Sequence, residues 1–278
     1  MSMGLAIIGG GAMGRAVAQG ARAAGLDLGP LVIAEPDSAR RGGLAGLGAS
    51  VVSSAAEAFR ELGRSEGAPG EGVILLAVKP QVFRSVAAEL GDVGPRRVLS
   101  VMAGVTTAAI RVALGGGARV IRLMPNTPAS IRMGVTGLCV GEGAGEEDAA
   151  RAERLFCAVG DVVRVPEALM DAVTAVSGSG PAYLFYVAEA LERAAVDAGF
   201  DPPTAARLVR GTLAGASRLL AQGVDPATLR RAVTSKGGTT EAACGVLDAR
   251  GVDGAVMEAV RAATARGAAL SAMVCGPS

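Results

Sequence analysis

The stretch Leu5-Ala6-Ile7-Ile8-Gly9-Gly10-Gly11-Ala12-Met13-Gly14 decides the fold. Leu5 to Ile8 is a short apolar run, and the glycines follow at once. Arg15 to Ala24 is then rich in good helix formers and ends at Gly25. Strand, glycine turn and helix in this order are the context that gives G-x-G-x-x-G its meaning. Gly9 suits the tight turn, Gly11 lets backbone N–H groups approach a pyrophosphate, and Gly14 lets the helix pack closely on the strand. The helix N-terminus adds unpaired donors and partial positive charge. The stretch reads as a dinucleotide-binding turn, against the plainer reading of a glycine-rich turn in a chain with 41 glycines.

Outward from this turn, strands and helices alternate, the pattern of a parallel sheet covered on both faces. Leu31 to Ala34 is a second strand, ending in Glu35-Pro36-Asp37, and Ser38 to Leu47 reads as a helix. Glu35 lies about twenty residues after Gly14, where a carboxylate accepts both ribose hydroxyls of NAD and repels the 2′-phosphate of NADP. Arg40 and Arg41 can offset that repulsion, and a solvated charge at a strand end is the plainer alternative. Val51-Val52 is a short strand, Ala55 to Leu62 a helix, and Gly63 to Gly72 a polar loop. Val73 to Val78 is fully apolar, as in the centre of a parallel sheet. It runs into Lys79-Pro80, at the strand end where α/β sheets place ligands. Lys79 is therefore a cofactor-edge residue or an ordinary strand-end cation.

Arg97 to Val101 is the next strand, followed by Met102-Ala103-Gly104 and a helix from Thr106 to Leu114. Arg119 to Met124 is another strand and ends in Pro125-Asn126-Thr127-Pro128, a loop that the prolines make rigid. Asn126 can hydrogen-bond a ribose or a nicotinamide amide; its plainer role is that of a turn former. Val135 to Val140 and Asp161 to Val165 read as last strands flanking a helix at Glu146 to Cys157. After about Arg164 the pattern is helical: Ala168 to Gly199, interrupted by Ser177-Gly178-Ser179-Gly180-Pro181, then Pro202 to Gln222, Pro226 to Val233 and Asp253 to Met273. Tyr183, Leu184, Val187 and Leu191 share one face. Asp225-Pro226 reads as an N-cap with proline in the first turn. So much apolar helix face points to a subunit interface.

A second motif, Thr234-Ser235-Lys236-Gly237-Gly238-Thr239-Thr240-Glu241, lies between helical segments. Its glycines permit a backbone nest, and Thr239 or Thr240 can cap the helix that follows. Such a helix start binds a small anion such as a carboxylate; a glycine turn with a good N-cap is the alternative.

Composition narrows the chemistry. The 278 residues fit one large or two modest domains. No apolar run is long enough to span a bilayer, and no signal peptide is expected. With 27 Lys+Arg against 26 Asp+Glu, the chain lacks the basic excess that phosphate contacts to nucleic acid require. It has no histidine, which excludes Ser-His triads and His-ligated metals; no metal site is expected. Cys139, Cys157, Cys244 and Cys275 form no C-x-x-C pair and read as buried reduced thiols of a cytoplasmic protein. Arginine supplies nearly all the positive charge. The only lysines are Lys79 and Lys236, and the only asparagine is Asn126. Residues so rare in a chain are candidates for positions where the common substitute fails.

Taken together, these motifs resemble Δ1-pyrroline-5-carboxylate reductase. The resemblance rests on the Gly9 to Gly14 turn, Ala77-Val78-Lys79-Pro80, Met124 to Pro128, Asp171-Ala172-Val173-Thr174 leading into Ser177 to Tyr183, and Ser235 to Thr240. It implies an α/β N-terminal Rossmann-type dinucleotide-binding domain, residues 1–164, followed by an all-α dimerisation and substrate domain, residues 165–278. It further implies dimers that exchange helices, often assembled into decamers, and the last step of proline synthesis, with hydride passing from NADPH or NADH to the cyclic imine. By the family's pattern Ile8, Gly9, Gly10, Gly11, Ala12 and Met13 hold the pyrophosphate, and Glu35 and Asp37 lie near the adenosine ribose. Ala77, Val78, Lys79, Pro80, Ala103 and Asn126 line the nicotinamide side. The loop Gly237, Gly238, Thr239 and Thr240 holds the substrate carboxylate, with Ser235 and Lys236 beside it among the substrate-binding residues; the Thr240 hydroxyl reaches the ring nitrogen as the catalytic group, and Glu167 is an acidic residue near the substrate.

Two residues depart from the pattern. Lys236 replaces the proline of a Ser-Pro-Gly-Gly loop, and Glu35 replaces the small hydroxyl residue of NADP-preferring members. Related readings are an imine or β-hydroxyacid reductase acting on another small carboxylate, or a non-catalytic dinucleotide-binding scaffold. The hydroxyacid enzymes use a lysine in the helical domain, and Ala168 to Gly199 contains none.

Overall fold

The computed structural model describes residues 4–65 and 71–275. The elements in order are β1 (Leu5–Ile8), α1 (Ala12–Ala23), β2 (Leu31–Ala34), α2 (Ser38–Gly42), β3 (Ser50–Val52), α3 (Ala55–Ser65), β4 (Val73–Leu76), α4 (Phe83–Leu90), β5 (Arg97–Ser100), α5 (Thr107–Ala113) and β6 (Arg119–Met124). Then come β7 (Gly134–Val140), α6 (Glu146–Phe156), β8 (Gly160–Arg164), α7 (Met170–Val173), α8 (Gly180–Asp197), α9 (Pro202–Leu220), α10 (Pro226–Ala232), α11 (Thr239–Ala249) and α12 (Val252–Cys275).

The strands form one sheet in the order β3-β2-β1-β4-β5-β6-β7-β8. All neighbours are parallel except β6 and β7. The order reverses between β1 and β4, which opens a crevice at their carboxyl ends. Both faces of the sheet are buried at its inner strands β1, β2, β4 and β5, and alternate residues of each supply them. Leu5 and Ile7 pack with Val17, Ala18 and Ala21 of α1 and with Leu155 and Phe156 of α6. Ala6 and Ile8 pack with Ala58 and Leu62 of α3, Phe83 and Val86 of α4 and Ile110 of α5. Burial on both faces is why β1 and β4 are apolar throughout instead of alternating.

One buried ionic cluster interrupts this core. Arg97 and Asp148 are both buried, and the guanidinium meets the carboxylate at 2.5 Å. Asp148 also pairs with Arg119 at 3.2 Å, and its Oδ2 accepts the Gly145 N–H at the start of α6. The cluster ties α6 to the opening residues of β5 and β6.

The structure departs from the sequence reading at several points. The helix expected from Ser38 to Leu47 stops at Gly42, and a 3₁₀ turn (Ala45–Leu47) replaces its end. Gly42-Gly43 is too costly a pair for a helix interior. The polar loop expected at Gly63 to Gly72 starts later, since α3 runs on to Ser65; its residues 66–70 lie outside the described residues. Helix α4 was not anticipated, although Phe83, Val86, Ala87 and Leu90 have helical spacing and all face the core. The interruption before α8 is a π-helical turn (Thr174–Gly178), a local widening found often at functional sites.

The chain divides into two compact units. One runs to Ser179 and takes in the chain again from Ala263; the other is Gly180–Ala262. The second unit is helical. α8 packs on α9, Asp201 and Asp225 cap α9 and α10 by accepting the Thr204 and Thr228 N–H groups, and proline follows each cap. Its helices leave large apolar side chains exposed, among them Leu184, Phe185, Tyr186, Val246 and Met257. Among the described residues no helix is long and apolar enough to cross a membrane.

Candidate active site

The glycines after β1 divide the work of the turn. Gly9 has φ +111°, and a Cβ there would lie 2.5 Å from the Ala77 carbonyl oxygen. At Gly14 a Cβ would lie 2.2 Å from the Gly9 oxygen, so α1 starts hard against β1. Gly11 is different: a Cβ there would meet no atom within 4 Å. That open space lies at the N-terminus of α1, which no side chain caps. The backbone is bare where a phosphate group would approach.

A cleft of about 970 Å³ opens at this point, at the carboxyl ends of β1, β2 and β4. Of the expected cofactor residues, 9–13, Glu35, 77–80 and Ala103 line it. Arg15, Arg40, Val82 and Met102 line it as well, and the sequence reading had assigned none of these to the site except Arg40. Lys79 is exposed and has no ionic partner among the described residues. Ile8 is buried in the sheet, and Gly14 is occupied by packing.

Asp37 and Asn126 lie outside the lining. The Asp37 carboxylate accepts the Ala39 N–H at 2.9 Å as the cap of α2 and pairs with Arg40 at 3.3 Å. Asn126 donates through Nδ2 to the Ser177 carbonyl oxygen at 3.2 Å, and its Oδ1 accepts the Val135 N–H at 2.9 Å. Its side chain holds the π-helical turn and the start of β7, which accounts for an asparagine at this position without a ligand.

Glu167 is similarly engaged. It accepts the Thr107 N–H and the Thr107 hydroxyl and pairs with Arg122 at 3.5 Å. Arg122 is buried and reaches Asp171 at 3.4 Å, which also receives the Ser271 hydroxyl. The sequence reading missed Arg122; the signal was an arginine in the middle of a strand, between Val120-Ile121 and Leu123-Met124.

The second motif lies in the Gly180–Ala262 unit. Ser235 to Gly238 forms a tight turn in which the Gly238 N–H donates to the Ser235 carbonyl oxygen at 3.0 Å. Gly237 has φ +72°, and a Cβ on Gly238 would strike the Ser235 hydroxyl at 2.5 Å. Neither threonine caps α11: Gly238 is the N-cap, and Thr239 and Thr240 are its first residues. The Glu241 carboxylate folds back to accept the Gly237 N–H at 2.7 Å. No side chain caps the start of α11, and Lys236, in the turn before it, is exposed.

The thiols are not all buried as expected. Cys139 is buried, and that burial pushes its pKa up to about 11. Cys157 is exposed.

The matches to known proteins follow this geometry. Residues 4–104 match the family model described as NADP oxidoreductase coenzyme F420-dependent, and residues 167–270 match that of pyrroline-5-carboxylate reductase dimerisation. The pyrroline-5-carboxylate reductase of a Synechocystis species is 40% identical over 271 residues, 96% of this chain and 97% of that one. The chain belongs to the pyrroline-5-carboxylate reductase family. Among solved structures, the family member from Coxiella burnetii superposes with a TM-score of 0.86 at 34% identity, covering 97% of this chain and 99% of that one. A Plasmodium falciparum pyrroline carboxylate reductase with NADP bound gives 0.80 at 25% identity, covering 97% and 98%. The two model matches thus fall on the stretch with the glycine turn and on the helical stretch that carries the second motif.

Proposed function

We propose that this chain reduces 1-pyrroline-5-carboxylate to L-proline with NADPH or NADH. The observation that carries the reading is the open space at Gly11 on an uncapped helix N-terminus, in a chain that follows its reductase relatives over nearly its whole length. The cleft fits a dinucleotide: residues 9–13 offer backbone to the pyrophosphate, Glu35 an acceptor to the ribose, and Ala77 to Pro80 with Ala103 a wall for the nicotinamide. Bound there, the reduced nicotinamide supplies the hydride that the imine carbon takes up.

The protein's own part is orientation. The Thr239 and Thr240 amides and Lys236 hold the substrate carboxylate, and the Thr240 hydroxyl meets the ring nitrogen. The imine nitrogen is basic enough to arrive protonated, so no residue with a shifted pKa is required, which suits a chain without histidine. The resemblance puts Glu167 near the substrate, and its carboxylate is held by Thr107 and Arg122.

The reading extends to assembly. The exposed apolar faces of α8, α11 and α12 suit a homodimer, and the dimerisation-family match supports it. Helix exchange and a decamer are the arrangements we expect, in the cytoplasm. We place the functional domain boundary after Arg164, giving 1–164 for cofactor and 165–278 for dimerisation and substrate. Nothing in the comparisons favours the scaffold or the alternative-substrate readings. The test is loss of reduced-nicotinamide absorbance on adding pyrroline-5-carboxylate, with proline as the measured product. No turnover with either cofactor, in a folded protein that binds dinucleotide, would overturn the reading.

A further inference from the structure

We infer that Glu35 makes this chain prefer NADH: its carboxylate accepts the two hydroxyls of the adenosine ribose and excludes a 2′-phosphate. The inference rests on the cofactor reading above. Glu35 follows β2 directly, is 4% exposed, and still lines the cleft. Its carboxylate is held in place from behind. The Asp37 N–H donates to Oε1 at 3.0 Å, and the Glu35 N–H is itself tied to the Val52 carbonyl oxygen at 3.0 Å. Oε2 has no donor among the described residues. It lies beside the glycine turn, so close that a Cβ on Gly10 would come within 3.2 Å of it. One oxygen fixed and one open is a pre-set acceptor. A ribose diol brings donors to it; a 2′-phosphate brings only acceptors and negative charge.

A cation could reverse this, and the structure gives each nearby arginine another task. Arg41 donates through Nη1 to the carbonyl oxygens of Glu35 and Pro36 at 3.0 and 2.8 Å, so it braces the backbone of the turn. Arg40 pairs with Asp37 at 3.3 Å. Arg15 donates to the Gly43 carbonyl oxygen. A 2′-phosphate would meet the Glu35 carboxylate before it met a free guanidinium.

Calorimetric binding of NAD⁺ and NADP⁺ tests this without catalysis, on the wild type and on Glu35→Ser, Glu35→Gln and Arg40→Ala. Wild type should bind NAD⁺ at least about tenfold more tightly, the scale set by one like-charge contact. Both Glu35 variants should bring the two affinities within about threefold, and Arg40→Ala should leave the preference unchanged. Equal or tighter NADP⁺ binding by wild type overturns the inference. So does an unchanged ratio in both Glu35 variants, or a loss of NADP⁺ binding in Arg40→Ala, which would show that Arg40 leaves Asp37 to take the phosphate. A failure of the reductase reading looks different: NAD⁺ would bind with the stated preference while pyrroline-5-carboxylate gave no turnover. Binding of neither dinucleotide overturns both.

Discussion

Glu167 commits both oxygens of its carboxylate to Thr107: the Thr107 N–H donates to Oε1 at 2.7 Å and the Thr107 hydroxyl to Oε2 at 2.7 Å. With Arg122 closing on the same group at 3.5 Å, the carboxylate is a joint between α5, β6 and the segment leading into α7. Thr107→Val keeps the backbone bond and removes the hydroxyl. Hydrogen bonds to charged groups contribute about 1.5–3 kcal/mol, so denaturant unfolding should show a loss of about 1–2 kcal/mol. The KM for pyrroline-5-carboxylate should change by less than about twofold if Glu167 only braces the fold. A large rise in KM with unchanged stability would put Glu167 on the substrate instead.

Gly14 and Gly11 of the turn should fail in different ways. Gly14→Ala drives a methyl into the Gly9 carbonyl, 2.2 Å away, and that oxygen is backbone that cannot swing aside. Overpacking of this kind costs about 1–3 kcal/mol, and the melting temperature should fall. Gly11→Ala meets no protein atom within 4 Å and should leave the melting temperature nearly unchanged while weakening dinucleotide binding by about tenfold or more. Equal cofactor affinity in Gly11→Ala and wild type would show that the phosphates do not pass there.

Asp148 serves three partners from a buried position: Arg97, Arg119 and the Gly145 N–H. Asp148→Ala leaves the Arg97 guanidinium buried beside only the exposed Glu147 carboxylate. Removing one partner of a buried pair costs about 3–5 kcal/mol. Because this cluster lies at the opening ends of β5 and β6, away from the cleft, dinucleotide affinity of the surviving folded protein should not change. A stability loss below about 1 kcal/mol would mean that water replaces the carboxylate.

The buried Cys139 thiol, with a pKa pushed up to about 11, should resist alkylation while the exposed Cys157 reacts. The sign of its pH effect follows. A thiol that holds its proton more tightly in the folded state stabilises the fold below its unfolded pKa, and that contribution is lost as pH rises through about 11. Mass spectrometry after brief iodoacetamide treatment near neutral pH should find Cys157 modified and Cys139 intact until denaturant is added. Equal labelling of the two in the native state would contradict the burial.

What could be read from the sequence was local. The glycine turn, the N-cap at Asp225 with Pro226 behind it, and the apolar strands Leu5–Ile8 and Leu31–Ala34 depend on neighbours within a few residues, and their bounds agree with the structure. The engagements of Asn126 and Glu167 were not legible, because their partners lie 51 and 60 residues away in the chain. Rarity marked Asn126 as a position with a special demand, and its side chain holds a π-helical turn and the start of β7. The antiparallel β6–β7 pair had a visible cue that went unused: only a 3₁₀ turn separates Met124 from Gly134, and a parallel partner needs a longer crossover.

Lys236 shows how a departure from a family pattern can be tested. It is the second residue of the Ser235–Gly238 turn, and Gly237 at the third has φ +72°, the arrangement in which proline at the second position is favoured. The Lys236 N–H has no acceptor among the described residues, so Lys236→Pro sacrifices no bond in the turn. It should stabilise the fold by about 0.4–1 kcal/mol by restricting the unfolded chain. It should also remove a cation from the turn that precedes α11 and raise the KM for pyrroline-5-carboxylate about two- to fivefold, the range of an exposed charge pair, with kcat little changed. Lys236→Met separates the two effects, since it loses the charge and keeps the flexible backbone. If KM rises equally in both variants, the ammonium binds the substrate carboxylate. If it rises in neither, the lysine is only a tolerated substitute in the turn, and the amides at the start of α11 hold the carboxylate alone.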